Sequence, residues 1–280
     1  MKDKIFPAKP NYIYEIFGTD NAVIGMIHLK PLPGSPHYQG GGMEEVIDFA
    51  LNDVEALEEG GVDGLIIENA WDLPFSKPED IGFETVAAMT AVAERLKCKT
   101  SLPIGINCLA NGAIQATAVA SAADLPFIRV NQWVNAYVAN EGIVEGASAK
   151  ALRYRSQLKS DHIKIFADVH VKHGSHSIVA DRSLEAQTHD AIFFDSDVLI
   201  ATGSRTGDET GLDEIKGIKH NTDLPVIVGS GMTKENVRDI FSVANGCIVG
   251  SSLKEDGEWW KPVSTEKVKD FMEQVKRVRA

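Results

Sequence analysis

The chain has 280 residues, of which 44% are apolar and 24% charged, and its formal net charge is −12. This apolar content supports a large core and excludes a mainly disordered or low-complexity protein. The acidic excess argues against nucleic acid or an anionic membrane as partner, because both bind basic surfaces. The three cysteines form no Cys-x-x-Cys motif, which excludes a zinc ribbon and suits a reducing compartment.

The amino-terminal segment predicts no targeting signal. Residues 1–7 contain no apolar h-region, and no window approaches 18 uninterrupted apolar residues. We therefore expect a cytoplasmic protein without a transmembrane segment. Residues 1–22 precede the first predicted strand and include several aromatic side chains. This N-terminal extension either closes the floor of the fold or contributes a contact in a homo-oligomer.

Eight short apolar runs recur along the chain, each with the length of a buried parallel strand. They cover residues 23–27, 64–67, 103–106, 126–130, 164–169, 197–201, 225–228 and 246–249. Helical patterns lie between or after them, at 44–59, 85–96, 234–243 (with Thr233 as the N-cap) and 265–279.

Eight strands that alternate with helices predict one α/β domain over residues 1–280, a (β/α)₈ or TIM barrel whose barrel proper begins at residue 23. A doubly wound open sheet is the alternative. That fold needs a phosphate-binding loop after the first strand, whereas the glycine-rich turns here follow the last two strands.

These two glycine-rich turns predict a phosphate-binding site. Glycine lets backbone N–H groups approach an anion closely, and barrels commonly bind phosphate after their last two strands. Ordinary tight turns are the alternative, and Lys254 either adds charge to the site or is simply exposed. The candidate phosphate-binding residues are Gly229, Ser230, Gly231, Gly250 and Ser251.

Titratable side chains alternate at the end of the fifth run. In an extended chain Asp168, His170 and Lys172 share one face, which we assign to the barrel interior. They suit acid–base catalysis, with Asp168 orienting His170 and Lys172 contacting an oxyanion or phosphate. A divalent metal on Asp168 and His170, or an ion-pair network that only stabilises the barrel, are the alternatives.

Polar residues also end the other predicted strands. Glu68 is either a catalytic carboxylate or the partner of Arg129, which lies in an apolar run and needs a counter-charge or a substrate. The loop 201–207 offers further N–H and hydroxyl donors to the same anion. Candidate substrate-binding residues are His28, Asn69, Asn107, Arg129, Asn131, Thr202 and Gly203.

Several established motifs are absent from the sequence. It has no P-loop, no Gly-x-Gly-x-x-Gly after the first strand, no His-Glu-x-x-His and no Gly-x-Ser-x-Gly elbow. This argues against nicotinamide dehydrogenases, zincins and α/β-hydrolases, and no organic cofactor is expected. A metal-dependent hydrolase stays open, with His28, Glu68 or His173 completing the ligands of a divalent metal.

Taken together, the motifs resemble those of the BtpA/SgcQ family. The matching segments are 26–36, 68–75, 129–131, 141–146, 168–173, 228–231 and 248–257. The resemblance covers roughly residues 22–275 and implies a TIM barrel related to the phosphate-binding barrels. It leaves the reaction open, because the family is named for cyanobacterial members tied to photosystem I accumulation. Other members occur in bacteria and archaea without photosynthesis, some beside sugar-uptake genes.

One segment departs from the family pattern. Where members usually read Leu-Arg-Asn-Asp after the third strand, this chain reads Leu109-Ala110-Asn111-Gly112. The basic and acidic groups are both missing. If they bind substrate in relatives, the departure indicates a different substrate or a lost activity.

The sequence therefore predicts an enzyme that acts on a phosphorylated small molecule, such as a sugar phosphate or a nucleotide-like sugar. Isomerisation, epimerisation, aldol-type cleavage and glycosidic cleavage all remain open. The second hypothesis is a non-catalytic accessory or regulatory protein, for example a factor in photosystem I biogenesis. The metal-dependent hydrolase is the third.

Overall fold

The computed structural model describes residues 7–203 and 211–279; residues 204–207 of the predicted anion-binding loop lie outside this range. The strands are β1 (Ala22–His28), β2 (Gly64–Glu68), β3 (Ile104–Asn107), β4 (Phe127–Val130), β5 (Ala136–Ala139), β6 (Gly142–Glu145), β7 (Lys164–Asp168), β8 (Val198–Ala201), β9 (Val226–Val228) and β10 (Gly246–Val249). The helices are α1 (Tyr12–Phe17), α2 (Glu44–Gly60), α3 (Phe83–Lys97), α4 (Ala113–Ala122), α5 (Ser148–Gln157), α6 (Leu184–Phe193), α7 (Leu212–His220), α8 (Val237–Phe241) and α9 (Thr265–Arg279).

Eight of the strands close into a parallel barrel. Its order is β1-β10-β9-β8-β7-β4-β3-β2, and β1 pairs with both β10 and β2. The remaining two, β5 and β6, form an antiparallel hairpin outside the barrel. The (β/α)₈ prediction is confirmed and the open-sheet alternative is wrong.

Three of the four predicted helices occur at or close to their expected bounds, and α8 does not. It begins at Val237 rather than Lys234, so Thr233 is not its N-cap. The Asn236 side chain accepts from the Thr233 N–H and donates to the Gly231 carbonyl, which keeps the intervening residues in a turn. In the described part of the chain, no helix has both the length and the apolar character needed to span a bilayer.

Apolar side chains form two cores, one on each face of the barrel wall. Leu65 and Ile67 of β2 face outward and pack under the helices, whereas Ile66 faces the interior with Phe127 and Phe166. This division follows from the two-residue period of a strand, which sends successive side chains to opposite faces.

Helix α1 closes the amino-terminal end of the barrel. Ile13 is fully buried in the interior core. The Phe17 ring meets those of Phe127 and Phe166 edge-on, with centroids 5.6 and 6.4 Å apart. Of the two predicted roles for the N-terminal extension, the structure therefore shows the closed floor.

Inward-facing positions change from apolar to polar toward the carboxyl ends of the strands. Two residues after Ile66, Phe127 and Phe166 come three charged side chains that point into the same interior. These are Glu68, Arg129 and Asp168. The polar layer therefore lies at the mouth of the barrel, where enzymes of this fold carry their active sites.

Candidate active site

A continuous row of polar residues crosses four adjacent strands at the mouth. The register pairs His28 with Glu68, Glu68 with Asn107, and Asn107 with Arg129. All four were predicted as site residues from their positions at strand ends. The closed register brings them side by side, which residue spacing alone does not show.

Glu68 lies in the middle of this row. Its Oε2 accepts a hydrogen bond from Nδ2 of Asn107 at 2.6 Å, and its Oε1 is 3.7 Å from Nε2 of His28. Burial raises the pKa of Glu68, although the charges of Arg129 and Lys172 act against the increase. A raised pKa makes a carboxyl group a better proton donor than an exposed one at the same pH.

His28 is a neutral imidazole. Burial, followed by the charge of Lys254, lowers its pKa to about 3. Its Nδ1 lies 2.9 Å from the carbonyl oxygen of Trp259, which can only accept, so the proton is on Nδ1. The Nε2 lone pair therefore faces Glu68. The role of Trp259 was not predicted.

Arg129 and Asp168 form a bidentate ion pair. The Nε and Nη2 atoms of Arg129 donate to the two carboxylate oxygens at 3.0 Å each, and Asn131 donates to the same carboxylate at 3.3 Å. The direct ion pair of Arg129 is thus with Asp168 on the adjacent strand, while the charges of Arg129 and Glu68 also act on each other. Asp168 does not orient His170, since its oxygens are held by Arg129 and Asn131.

The predicted alternation beyond Asp168 stops because β7 ends there. The His170 ring lies against the ring of His176, with centroids 3.7 Å apart, and burial followed by the His176 charge lowers the pKa of His170. The Lys172 side chain instead turns toward the mouth, where its Nζ is 3.5 Å from the carbonyl oxygen of Gly229. Burial and the Arg129 charge lower the pKa of Lys172 to about 8.

Two amide oxygens at the mouth have no partner among the described residues. Oδ1 of Asn107 and Oδ1 of Asn131 are both buried, although each residue donates through its Nδ2 to a carboxylate. Buried polar atoms are nearly always satisfied in folded proteins. A ligand with hydrogen-bond donors is one group that would satisfy them.

The two glycine-rich loops meet at the mouth. A Cβ atom on Gly229 would lie 3.2 Å from Nη2 of Arg129, and one on Gly250 would lie 3.2 Å from Cε1 of His28. The Ser252 hydroxyl donates to the Met232 carbonyl at 2.7 Å, which joins the two loops. Both loops therefore border the polar row so closely that a Cβ atom would crowd its side chains.

Lys254 takes neither of its predicted roles. Its side chain is fully buried, with Nζ 2.5 Å from Oδ2 of Asp53 on α2. The remaining oxygen of Asp53 accepts from the Val263 N–H at 2.7 Å. A buried ammonium group needs a counter-charge, and Asp53 supplies it for Lys254.

Thr202 and Gly203 do not offer their N–H groups to an external anion. Both donate to the carboxylate of Glu214 at the start of α7, and burial raises the pKa of that carboxyl group. The Thr202 hydroxyl donates to the His170 carbonyl and accepts from the Lys172 N–H. These two predicted substrate-binding residues instead support the chain after β7, and Glu214 was not predicted.

The Asn69 side chain, which was predicted to bind substrate, is hydrogen-bonded within the protein. It accepts from the Leu109 N–H at 2.7 Å and donates to the Leu109 carbonyl and to Asp72, each at 3.1 Å. Asn111 likewise bonds the main chain of Gln132 and Glu145. Hydrogen bonds between side chains and the main chain thus hold the segment that departs from the family pattern.

A groove of about 410 Å³ opens beside the mouth. Its lining residues are Pro31, His37, Gln39, Trp71, Leu73, Trp259 and Trp260. The Trp259 ring contacts His28 on one side and Trp71 on the other, with centroids 5.9 Å apart in each case. The adjacent tryptophans at 259 and 260 were the available sequence signal for this groove, and it was missed.

No cluster of three or more histidine, cysteine, aspartate or glutamate side chains suited to a metal ion occurs in the ranges 7–203 and 211–279. The predicted set of Asp168 and His170 is separated by the pairing of Asp168 with Arg129.

Comparison with solved structures shows the same fold. Tryptophan synthase of Mycobacterium tuberculosis superposes with a TM-score of 0.59 at 13% identity, covering 97% of this chain and 98% of that one. Thiamine phosphate pyrophosphorylase of Pyrococcus furiosus gives 0.56 at 12% identity, covering 96% of this chain and all of the other. The likeness to these two structures shows that they share the fold of this barrel.

Comparison of sequences identifies nearer relatives. An uncharacterized protein of Pyrococcus furiosus is 40% identical over 96% of this chain and 95% of its own length. The photosystem I biogenesis protein BtpA of Synechocystis is 37% identical over 93% of this chain and 90% of its own. The model of the BtpA family matches residues 19–277. The chain, with its closed barrel and the polar row at its mouth, belongs to the BtpA family.

Proposed function

We propose that this protein is an enzyme that converts a phosphorylated small molecule, such as a sugar phosphate, at the mouth of its barrel. The observation that carries the proposal is the buried row of Glu68, Asn107 and Arg129 with Asp168 and Lys172 beside it. Burying charged groups is costly, and a barrel needs only apolar side chains to be stable. Perturbed titratable groups in such a position favour catalysis.

The glycine-rich loops after β9 and β10 are the proposed phosphate subsite. Backbone N–H groups of Ser230, Gly231, Gly250 and Ser251 would donate to the phosphate oxygens. The structural neighbours include enzymes whose names contain a phosphorylated compound, thiamine phosphate pyrophosphorylase and N-(5′-phosphoribosyl)anthranilate isomerase. Their likeness supports this subsite by analogy of fold.

The reacting part of the substrate would lie over the polar row. Glu68, in its protonated form, is the proposed acid, and His170 at the rim is a second group able to exchange a proton. Arg129, held by Asp168, would stabilise negative charge that develops on the substrate. Isomerisation, epimerisation, aldol-type cleavage and glycosidic cleavage are all consistent with these roles.

Calorimetric titration with inorganic phosphate and with ribose 5-phosphate tests the phosphate subsite. In Gly250→Ala the added methyl group would crowd His28, and we expect binding to weaken at least about tenfold, or 1.4 kcal/mol. Gly211→Ala is the matched control, because a Cβ at Gly211 meets no atom within 4 Å. Absence of binding to the unaltered protein, or equal binding by both variants, would contradict the proposed subsite.

A role in assembling photosystem I is the second candidate, favoured by the name of the Synechocystis relative. Complementation of a Synechocystis strain lacking its own BtpA separates the two. If Glu68→Gln restores photosystem I as well as the unaltered chain does, the role is non-catalytic. If only the unaltered chain restores it, the chemistry of the mouth is required.

A further inference from the structure

Lys172 lies at the mouth outside the ion pair of Arg129 and Asp168. Its N–H donates to the Thr202 hydroxyl at 3.2 Å, which fixes the main chain, and its Nζ lies 3.5 Å from the Gly229 carbonyl oxygen. The side chain thus spans from the end of β7 to the first glycine of the proposed phosphate loop. Among the residues that the structure describes, the hydrogen-bond partner of its ammonium is this carbonyl oxygen rather than a carboxylate.

Burial of Lys172 favours its neutral amine. The Arg129 charge acts in the same direction, whereas the charges of Glu68 and of Asp168, which Arg129 binds in bidentate fashion, act against it. Burial and the Arg129 charge together lower the pKa of Lys172 to about 8. At pH 7 about 10% of such a lysine is unprotonated, which is about 230 times the fraction for a lysine with the ordinary pKa of about 10.4.

A proton donor lies at the same mouth. Glu68 shares the electrostatic environment of Lys172, and burial raises the pKa of its carboxyl group. A neutral amine and a protonated carboxyl group are the two components needed to convert a carbonyl group into an imine.

We propose that the substrate is a phosphorylated aldehyde or ketone and that Nζ of Lys172 forms an imine with its carbonyl carbon. This rests on the proposed function, whose reaction it narrows to chemistry through a covalent lysine adduct. The phosphate would be bound by the loops after β9 and β10, beside Gly229, so the carbonyl carbon of a short substrate reaches the amine. Glu68 and Asn107 lie on β2 and β3 at the same mouth.

The step balances without a redox partner. The amine lone pair attacks the carbonyl carbon, a C–N bond forms, and a nitrogen proton passes to the former carbonyl oxygen to give a carbinolamine. The Glu68 carboxyl group then gives its proton to that hydroxyl, which leaves as water while the nitrogen lone pair forms the C=N bond. The product is a protonated imine with the Glu68 carboxylate as its counter-ion.

Pyridoxal 5′-phosphate is a suitable probe, because it is a phosphorylated aldehyde whose adducts are made permanent by borohydride. We expect peptide mapping after brief exposure at pH 7 to show Lys172 modified 10- to 100-fold faster than Lys150, an exposed lysine of α5. The rate at Lys172 should rise with pH to a plateau above pH 8. Lys172→Arg should lose this fast phase and Lys150→Arg should keep it, with both variants checked for native thermal unfolding.

The outcomes separate this inference from the proposed function. Modification of Lys172 no faster than that of Lys150 would overturn the imine proposal, while phosphate binding by calorimetry would leave the phosphate subsite intact. Fast modification of Lys172 by both pyridoxal and pyridoxal 5′-phosphate, unaffected by inorganic phosphate, would support the reactive amine and overturn the phosphate subsite. Preference for the phosphorylated probe, with competition by phosphate, supports both.

Discussion

At the barrel mouth, the contacts of a side chain determine its chemical role. Glu68 and Asp168 are both carboxylates at strand ends, yet Asp168 is bound by an arginine on the adjacent strand whereas Glu68 contacts an amide and a neutral imidazole. Their chemistry therefore diverges. Asp168 balances a charge, and Glu68 is available for proton transfer.

Replacement of Glu68 tests that division of roles. Glu68→Gln keeps the hydrogen bond from Asn107 but removes the acidic proton, so we expect kcat to fall by about 10²–10⁴ with little change in stability. The measurement is the turnover of ribose 5-phosphate, the phosphorylated carbonyl compound used in the calorimetric titration. Glu94→Gln, on the exposed face of α3, should keep full activity, and a Glu68→Gln enzyme within a few-fold of the unaltered one would refute the assignment.

His28 makes stability depend on pH. Its pKa of about 3 in the folded protein lies below the value of about 6.5 in an unfolded chain. Between these values only the unfolded chain takes up the proton, so the free energy of unfolding falls as pH falls. From pH 7 to pH 5 the loss due to His28 is about 2 kcal/mol.

His28→Asn should remove this dependence while retaining a donor for the Trp259 carbonyl. We expect urea unfolding of the variant to lose about 2 kcal/mol less between pH 7 and pH 5 than the unaltered protein does. Parallel pH profiles for the two proteins would show that the imidazole is protonated in the fold.

Among the elements, α1 closes the amino-terminal end of the barrel by packing against its interior core. Ile13→Ala removes a fully buried side chain from the interior core, so we expect a loss of about 2–5 kcal/mol in the free energy of unfolding. Tyr14→Ala is the control from the same helix, because Tyr14 is 55% exposed, and should cost less than about 1 kcal/mol. Equal losses in denaturant titrations would contradict a floor built on Ile13.

Strand elements were predictable because buried parallel strands are short apolar runs with regular spacing, and α9 was predictable from its apolar stripe. The short helix α8 was not, since the Asn236 side chain competes for backbone groups near Gly231. Likewise, the alternation read beyond Asp168 failed because β7 ends there. A two-residue period holds only while the chain remains in the sheet.

At the scale of the whole molecule, the ion pair of Asp53 and Lys254 links α2 to the segment after the last strand. Lys254→Met leaves the buried Asp53 carboxylate without its counter-charge, so we expect a loss of about 3–5 kcal/mol in the free energy of unfolding. Lys269→Met breaks an exposed pair with Glu59 and should cost about 0–1 kcal/mol.

Chemical denaturation of the two variants measures both losses. The double variant Asp53→Leu with Lys254→Met should recover part of the loss, because it removes both buried charges. Similar small losses in the two single variants would mean that Lys254 reaches water in the folded protein.

The sequence by itself determined the class of fold, the position of the mouth and most of the residues around it. Apolar runs of strand length at regular intervals leave little choice of architecture, and in a parallel barrel every strand ends at the same rim. Which polar groups pair was decided only by the tertiary structure. The register of β4 on β7 brings Arg129 to Asp168, Lys172 is left beside Gly229, and Glu214 takes the N–H groups of Thr202 and Gly203. These contacts join residues far apart in the chain, and their energies depend on distance and burial, neither of which can be read from residue order.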